Sequence, residues 1–133
     1  IVDNGSSDID GKEEFIMYAY INGNRLTVDL VDNSSSRELL RILGEGDIEY
    51  TADDYGGFEK VGNIGVDLPR NDVALRVGVG DVILYQGSNI CFYYGNNSWT
   101  FTRLGRIDGY SEAELRVLLG AGDGALRVRL SLK

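Results

Sequence analysis

The stretch DDYGGFEKVGNIG, residues 53 to 65, gathers the side chains of this sequence best suited to chemistry. It holds the carboxylates of Asp53 and Asp54, the rings of Tyr55 and Phe58, the adjacent charges of Glu59 and Lys60, and four glycines. A carboxylate beside rings, on a backbone that glycine allows to turn sharply, suits gripping a ligand or moving a proton. A plainer account competes with it: Glu59 and Lys60 are a solvated turn pair and Tyr55 is a packing anchor. Chemistry that needs imidazole is excluded, because the chain has no histidine. Ser-His-Asp and Cys-His hydrolases go with it, as do the usual zinc and non-haem iron ligand sets. Cys91 is the single cysteine and lies in the apolar run NICFYY. With no base to make it a thiolate, it reads as a small hydrophobe of the core. Asp53 and Asp54 are conceivable calcium ligands, but no spacing here forms an EF-hand loop. The glycine-rich VGVGD (77 to 81) and GAGDGA (120 to 125) run into strands, so neither offers a helix N-terminus to phosphate. No metal and no cofactor are expected.

Rings are the second resource. Tyr85, Phe92, Tyr93, Tyr94, Trp99 and Phe101 fall within seventeen residues, and neighbours along a strand face opposite ways. They cannot all be inside one small domain, so some must line an outer face or groove. A groove with aromatic walls and tyrosine hydroxyls at its rim suits an extended peptide or a small organic ligand. The candidate binding residues are Tyr55, Phe58 and Glu59, joined by Tyr85, Tyr94, Trp99 and the two arginines of TRLGRID, Arg103 and Arg106.

The elements that must position these residues are short. FIMYAYI (15 to 21), NGN and RLTVDLV (25 to 31) read as a hairpin, since Leu26, Val28 and Leu30 alternate with polar residues and Asn-Gly suits a tight turn. Ser35 and Glu38 then form a Ser-x-x-Glu capping box for a two-turn helix carrying Leu39, Leu40 and Leu43, with Gly44 as its stop. Ser111 and Glu114 repeat the device ahead of Leu115, Leu118 and Leu119. Strands are expected at 47 to 51, 81 to 86, 90 to 94, 99 to 104 and, with clean alternation, 125 to 133. About seven strands with a single proline, Pro69, are most economically arranged as a closed antiparallel barrel, because closure removes aggregation-prone edges. The expected fold is mainly β, a closed antiparallel barrel with two short capping α-helices.

A chain of 133 residues fits one domain. Residues 1 to 14 are polar and read as a flexible N-terminal tether, leaving 15 to 133 as the barrel domain. The net charge of −8 disfavours phosphate backbones, so nucleic acid is excluded as a partner. No apolar run approaches the length of a membrane helix, so a soluble domain without membrane insertion is expected. The first residue is Ile1 rather than Met, as in an envelope protein whose signal has been removed. An extracytoplasmic location is therefore expected, with a trimmed cytoplasmic chain as the alternative.

In this order, TVDLVDNSSSRELLRIL, YTADDYGGFEKVGNI, GDVILYQGSNICFYYG, RLGRID and GALRVRLSL resemble the compact prokaryotic cyclophilin-like family over about residues 14 to 132. The resemblance implies a closed β-barrel with short helices capping its ends. It also places DDYGGFEK as that family's acidic-aromatic-Gly-Gly-x-Glu-Lys signature, with Tyr55 and Glu59 facing a groove. The isomerase cyclophilins place an arginine beside the prolyl nitrogen, with a glutamine, a histidine and an aromatic proline pocket. Their Phe-His-Arg and Gly-Phe-Met-x-Gln-Gly-Gly segments are missing here, so no catalytic residue carries over. The resulting expectation is a non-catalytic binding module for a peptide or small organic ligand. The alternatives are a weak peptidyl-prolyl isomerase using Arg103 or Arg106, acid-base chemistry at Glu59, and a purely structural role.

Overall fold

The computed structural model describes residues 15–133, so the tether expected over residues 1 to 14 lies outside the described residues. The first hairpin joins β1 (Ile16–Ile21) to β2 (Asn24–Leu30). Its turn residues Asn22 and Gly23 both take positive φ (50° and 79°), which matches a two-residue turn to the strands' twist. After it come α1 (Ser34–Leu43), β3 (Ile48–Tyr55), β4 (Glu59–Asn63), β5 (Val73–Val77), β6 (Asp81–Tyr85), β7 (Asn89–Tyr93), β8 (Asn97–Ile107), α2 (Glu112–Leu118) and β9 (Leu126–Ser131).

Eight of the strands close an antiparallel barrel in the order β2-β1-β9-β3-β4-β7-β6-β8, and β8 returns to β2 through Val28 opposite Ile107. The remaining strand, β5, lies outside the ring and pairs with the first half of β8, from Val73 opposite Phe101 to Val77 opposite Asn97. The sequence reading has no strand there, although Val73, Leu75 and Val77 alternate with Ala74 and Arg76; only Val77 is fully buried, since β5 is an outer cover on β8. Further differences are β4, where no strand was expected, β3, which runs on through Tyr55 instead of ending at Thr51, and β8, which spans Asn97–Ile107 instead of 99 to 104. DDYGGFEKVGN is therefore a hairpin, its sharp turn at Gly56 and Gly57.

Leu39 and Leu43 of α1, with Leu115 and Leu119 at α2, join the barrel core of Met17, Leu26, Val28, Phe92, Leu104 and Leu130. α1 starts beyond the end of β2, whereas Leu118 O in α2 accepts from Asn22 Nδ2 in the turn before β2 (3.2 Å). The two helices thus cover opposite ends of the barrel. The cap of α2 is the expected one, Ser111 Oγ accepting from Glu114 N (3.1 Å) and Glu114 Oε1 from Ser111 N (2.8 Å). That of α1 differs. Asn33, not Ser35, is the cap: its Oδ1 accepts from Ser36 N (2.8 Å) and Ser36 Oγ accepts from Asn33 N (3.2 Å). Asn33 wins because its amide also donates to Arg103 O (2.9 Å), while Ser35 is buried and donates to Pro69 O. Glu38 instead pairs with Arg41 along the helix.

Strand alternation divides the apolar residues into two cores. Val82, Leu84, Ile90 and Phe92 face the barrel interior, and Ile83, Cys91 and Tyr93 face outward, where they meet Val77 and Phe101 in a second buried cluster. Among the described residues no helix is long and apolar enough to cross a membrane.

Candidate functional site

The outward cluster floors a cavity, and the β3–β4 hairpin shapes it. Gly56 and Gly57 both have positive φ (63° and 74°), and Phe58 N donates to Tyr55 O (3.2 Å). A Cβ on Gly56 would lie 2.3 Å from the Phe58 ring, so glycine is needed there for space as well as for backbone angle. The turn sets Tyr55 opposite Glu59, and β4–β7 pairing sets Glu59 opposite Tyr93. Phe58 then stacks on Tyr93 (centroids 5.7 Å apart, rings 2° from parallel), and Tyr93 meets Phe101 edge-on at 6.2 Å. Tyr55 closes the other side of Phe58 edge-on at 6.0 Å.

The result is a cavity of about 440 Å³ lined by Tyr55, Phe58, Glu59, Val61, Tyr85, Asn89, Cys91, Tyr93, Asn97, Trp99 and Phe101. Its size is that of a site for a small organic molecule. Tyr55 and Trp99 are each 63% exposed. Glu59 is only 7% exposed. Burial pushes its carboxyl above the usual range, and the nearby Tyr93 hydroxyl and Cys91 thiol offset part of that rise. Among the described residues no lysine or arginine pairs with it. Burial also pushes the Tyr93 hydroxyl and the Cys91 thiol far up, with the Glu59 carboxylate adding to both. Cys91 is thus a thiol and not a nucleophile, buried as the sequence implies, though on the outer face of the sheet.

Lys60, the next residue, faces the opposite way and is 1% exposed. Its Nζ pairs with Asp54 Oδ1 (2.8 Å) and donates to Gly124 O. Asp54 also accepts from the Tyr94 hydroxyl (2.8 Å), Gly122 N (3.1 Å) and Gly124 N (2.7 Å). Desolvation raises the Asp54 carboxyl, but these donors outweigh it and hold it well below the ordinary carboxylate range. Glu59 and Lys60 are therefore not a solvated turn pair, since both are buried and they lie on opposite faces of β4.

Five of the residues expected to bind, Tyr55, Phe58, Glu59, Tyr85 and Trp99, are brought together around the cavity. Tyr94, Arg103 and Arg106 are not. Tyr94 shares the inward parity of Ile90 and Phe92, and its hydroxyl is pushed up to about 12 by burial and by Asp54. A β-bulge interrupts β8 opposite Val82 and Ile83. Beside it Arg103 and Arg106 both donate to the buried Asp81 Oδ1 (3.1 and 2.6 Å), whose Oδ2 accepts from Gly78 N (2.8 Å). The arginines thus clamp the β5–β6 turn. The sequence reading missed Tyr93, Phe101, Val61, Asn89, Cys91 and Asn97 as cavity residues. For Tyr93 the signal was present, because a strand that buries Ile90 and Phe92 on one face must send residue 93 to the other.

The Cyclophilin-like family matches the sequence over residues 19–131. The solution structure of a hypothetical protein from Archaeoglobus fulgidus is similar in fold, with a TM-score of 0.62 at 18% identity over 90% of this chain and 95% of that one. No curated protein matches the chain.

Proposed function

The chain belongs to the cyclophilin-like family, and from that premise we propose that it is a non-catalytic binding module. Its outer cavity takes a small organic ligand or the anchoring part of an extended peptide. One observation carries the reading: a 440 Å³ hollow outside the barrel, walled by rings, with a buried carboxylate on its surface. A monomeric barrel has no need of Tyr55 and Trp99 half out of the fold, whereas a ligand-binding rim uses such amphipathic rings.

Prolyl isomerisation is less well supported. It needs a donor aimed at the amide nitrogen, and Arg103 and Arg106 are held on Asp81, outside the cavity lining. Acid-base chemistry at Glu59 has in its favour a carboxyl raised toward the working range. Against it, its polar neighbours Tyr93 and Cys91 are both driven far above that range, so no second group among the described cavity residues is poised to exchange the proton.

The test is NMR shift mapping with a library of small organic fragments and short proline-containing peptides. Shifts grouped on Tyr55, Phe58, Glu59, Val61 and Trp99 are expected, and shifts scattered elsewhere would overturn the reading. A coupled prolyl isomerase assay run beside it should show no rate above background.

A further inference from the structure

Glu59 is the single charged residue lining the cavity among the described residues, and it is 7% exposed. Its polar neighbours, Tyr93 opposite it on β7 and Cys91, are kept neutral by burial and do not compensate its charge. A buried carboxylate without a counter-charge is costly, and proteins normally pair one or leave it a partner to meet. The rest of the lining points the same way. The amide nitrogens of Asn89 and Asn97 are engaged on Tyr85 O (3.2 Å) and the Tyr93 hydroxyl (3.1 Å), which leaves their oxygens as acceptors. Phe58, Tyr93, Phe101 and Trp99 wall the hollow with aromatic rings, whose π-systems attract cations. A net charge of −8 draws cations toward the whole molecule and repels anions.

We propose that the cavity is specific for a small organic ammonium ion, its cationic head against Glu59 and its hydrocarbon part between Phe58, Tyr93, Phe101 and Trp99. This rests on reading the cavity as a ligand site and adds the sign of the ligand's charge. A neutral ligand of the same shape would leave Glu59 buried and uncompensated, and an anionic one would be repelled by it.

Titration of the full chain with two pairs of probes tests this. Choline is compared with its uncharged carbon isostere 3,3-dimethylbutan-1-ol, and 2-phenylethylammonium with 2-phenylethanol. Trp99, the single tryptophan, reports binding by fluorescence, and NMR shifts locate it. At least one ammonium probe should bind at the cavity about tenfold or more tighter than its neutral counterpart, the gain expected of a hydrogen bond or contact between charged groups. Glu59→Gln should remove that preference, so that the ammonium probe binds no more tightly than its neutral counterpart. Equal affinity within both pairs overturns the inference while leaving the cavity a ligand site, as does binding of neutral probes alone. Binding of neither class, together with a fragment screen silent at the cavity, overturns the inference and the reading beneath it. If the glutamine variant fails to fold, the comparison within each pair on the unaltered chain decides.

Discussion

Lys60→Met removes an ammonium from the barrel interior and leaves an apolar side chain of similar length. Lys60 is 1% exposed, and its Nζ pairs with Asp54 at 2.8 Å. Breaking one side of a fully buried ion pair costs about 3–5 kcal/mol, because the partner is left charged and unpaired. Asp54 is 23% exposed at its side chain and keeps the donors of Tyr94, Gly122 and Gly124. Solvent and those bonds stabilise part of the stranded charge, so the expected loss is roughly 2–3 kcal/mol. For a domain of this size that lowers Tm by about 8–10 °C. Adding Asp54→Asn removes the stranded charge, and the double variant should regain at least about 1 kcal/mol over Lys60→Met alone. The pH dependence follows from the depressed Asp54 carboxyl. Its contribution is present above the unfolded carboxyl pKa of about 3.9 and is lost as pH falls through the lower folded value. Wild-type stability should therefore drop below about pH 4, and the Lys60→Met chain should lose less over that window. Urea unfolding followed by circular dichroism at pH 7 and pH 3 measures both effects. A Lys60→Met chain within about 0.5 kcal/mol of wild type, or one with the wild-type acid slope, would refute the argument.

Glu59→Gln should raise stability at pH 7 by roughly 1 kcal/mol, because it removes a buried charge that no cation compensates. Since the folded carboxyl is raised, the wild-type penalty sets in above the unfolded pKa of about 4.3 and is complete above the folded one. Melts of the two chains should accordingly converge near pH 4, and a variant less stable than wild type at pH 7 would contradict this. Trp99→Ala and Tyr55→Ala, at residues 63% exposed, should each change stability by no more than about 0.5 kcal/mol. Both should abolish fragment-induced shifts at the cavity, which heteronuclear NMR would show. Gly56→Ala, at φ 63° and 2.3 Å from the Phe58 ring, should cost about 1–2 kcal/mol and displace the Phe58 resonances. Unmoved Phe58 signals would mean the turn tolerates a side chain.

The barrel was legible because its strands alternate so regularly. Leu26, Val28 and Leu30, and later Val128 and Leu130, are core residues in both the pattern and the fold. Local chemistry also read correctly at Ser111 and Glu114, where the cap involves neighbours in sequence. It failed at α1, where Asn33 was chosen over Ser35 by a long-range bond to Arg103. The same limit governs the site. Residues 53 to 65 name Tyr55, Phe58 and Glu59, but the partner that buries Lys60 includes a carbonyl at Gly124, far along the chain. Arg103 and Arg106 look free in TRLGRID because Asp81, which fixes them, lies over twenty residues upstream. Tyr94 was taken in place of Tyr93 although the alternation through Ile90 and Phe92 separates them. β5, whose Val73, Leu75 and Val77 alternate, covers β8 from outside the ring, a role that only the pairing with Asn97 to Phe101 reveals.

Glu59 and Lys60 are consecutive, and the pleat of β4 sends one outside and the other within. A shift of β4 by a single position along its neighbours would exchange them, turning the hollow basic and stranding an acid inside the barrel. The sign of charge this surface offers is thereby tied to the same strand alignment that holds the domain folded, and within that alignment it rests on Glu59 alone, independently of its neighbour on the inner face.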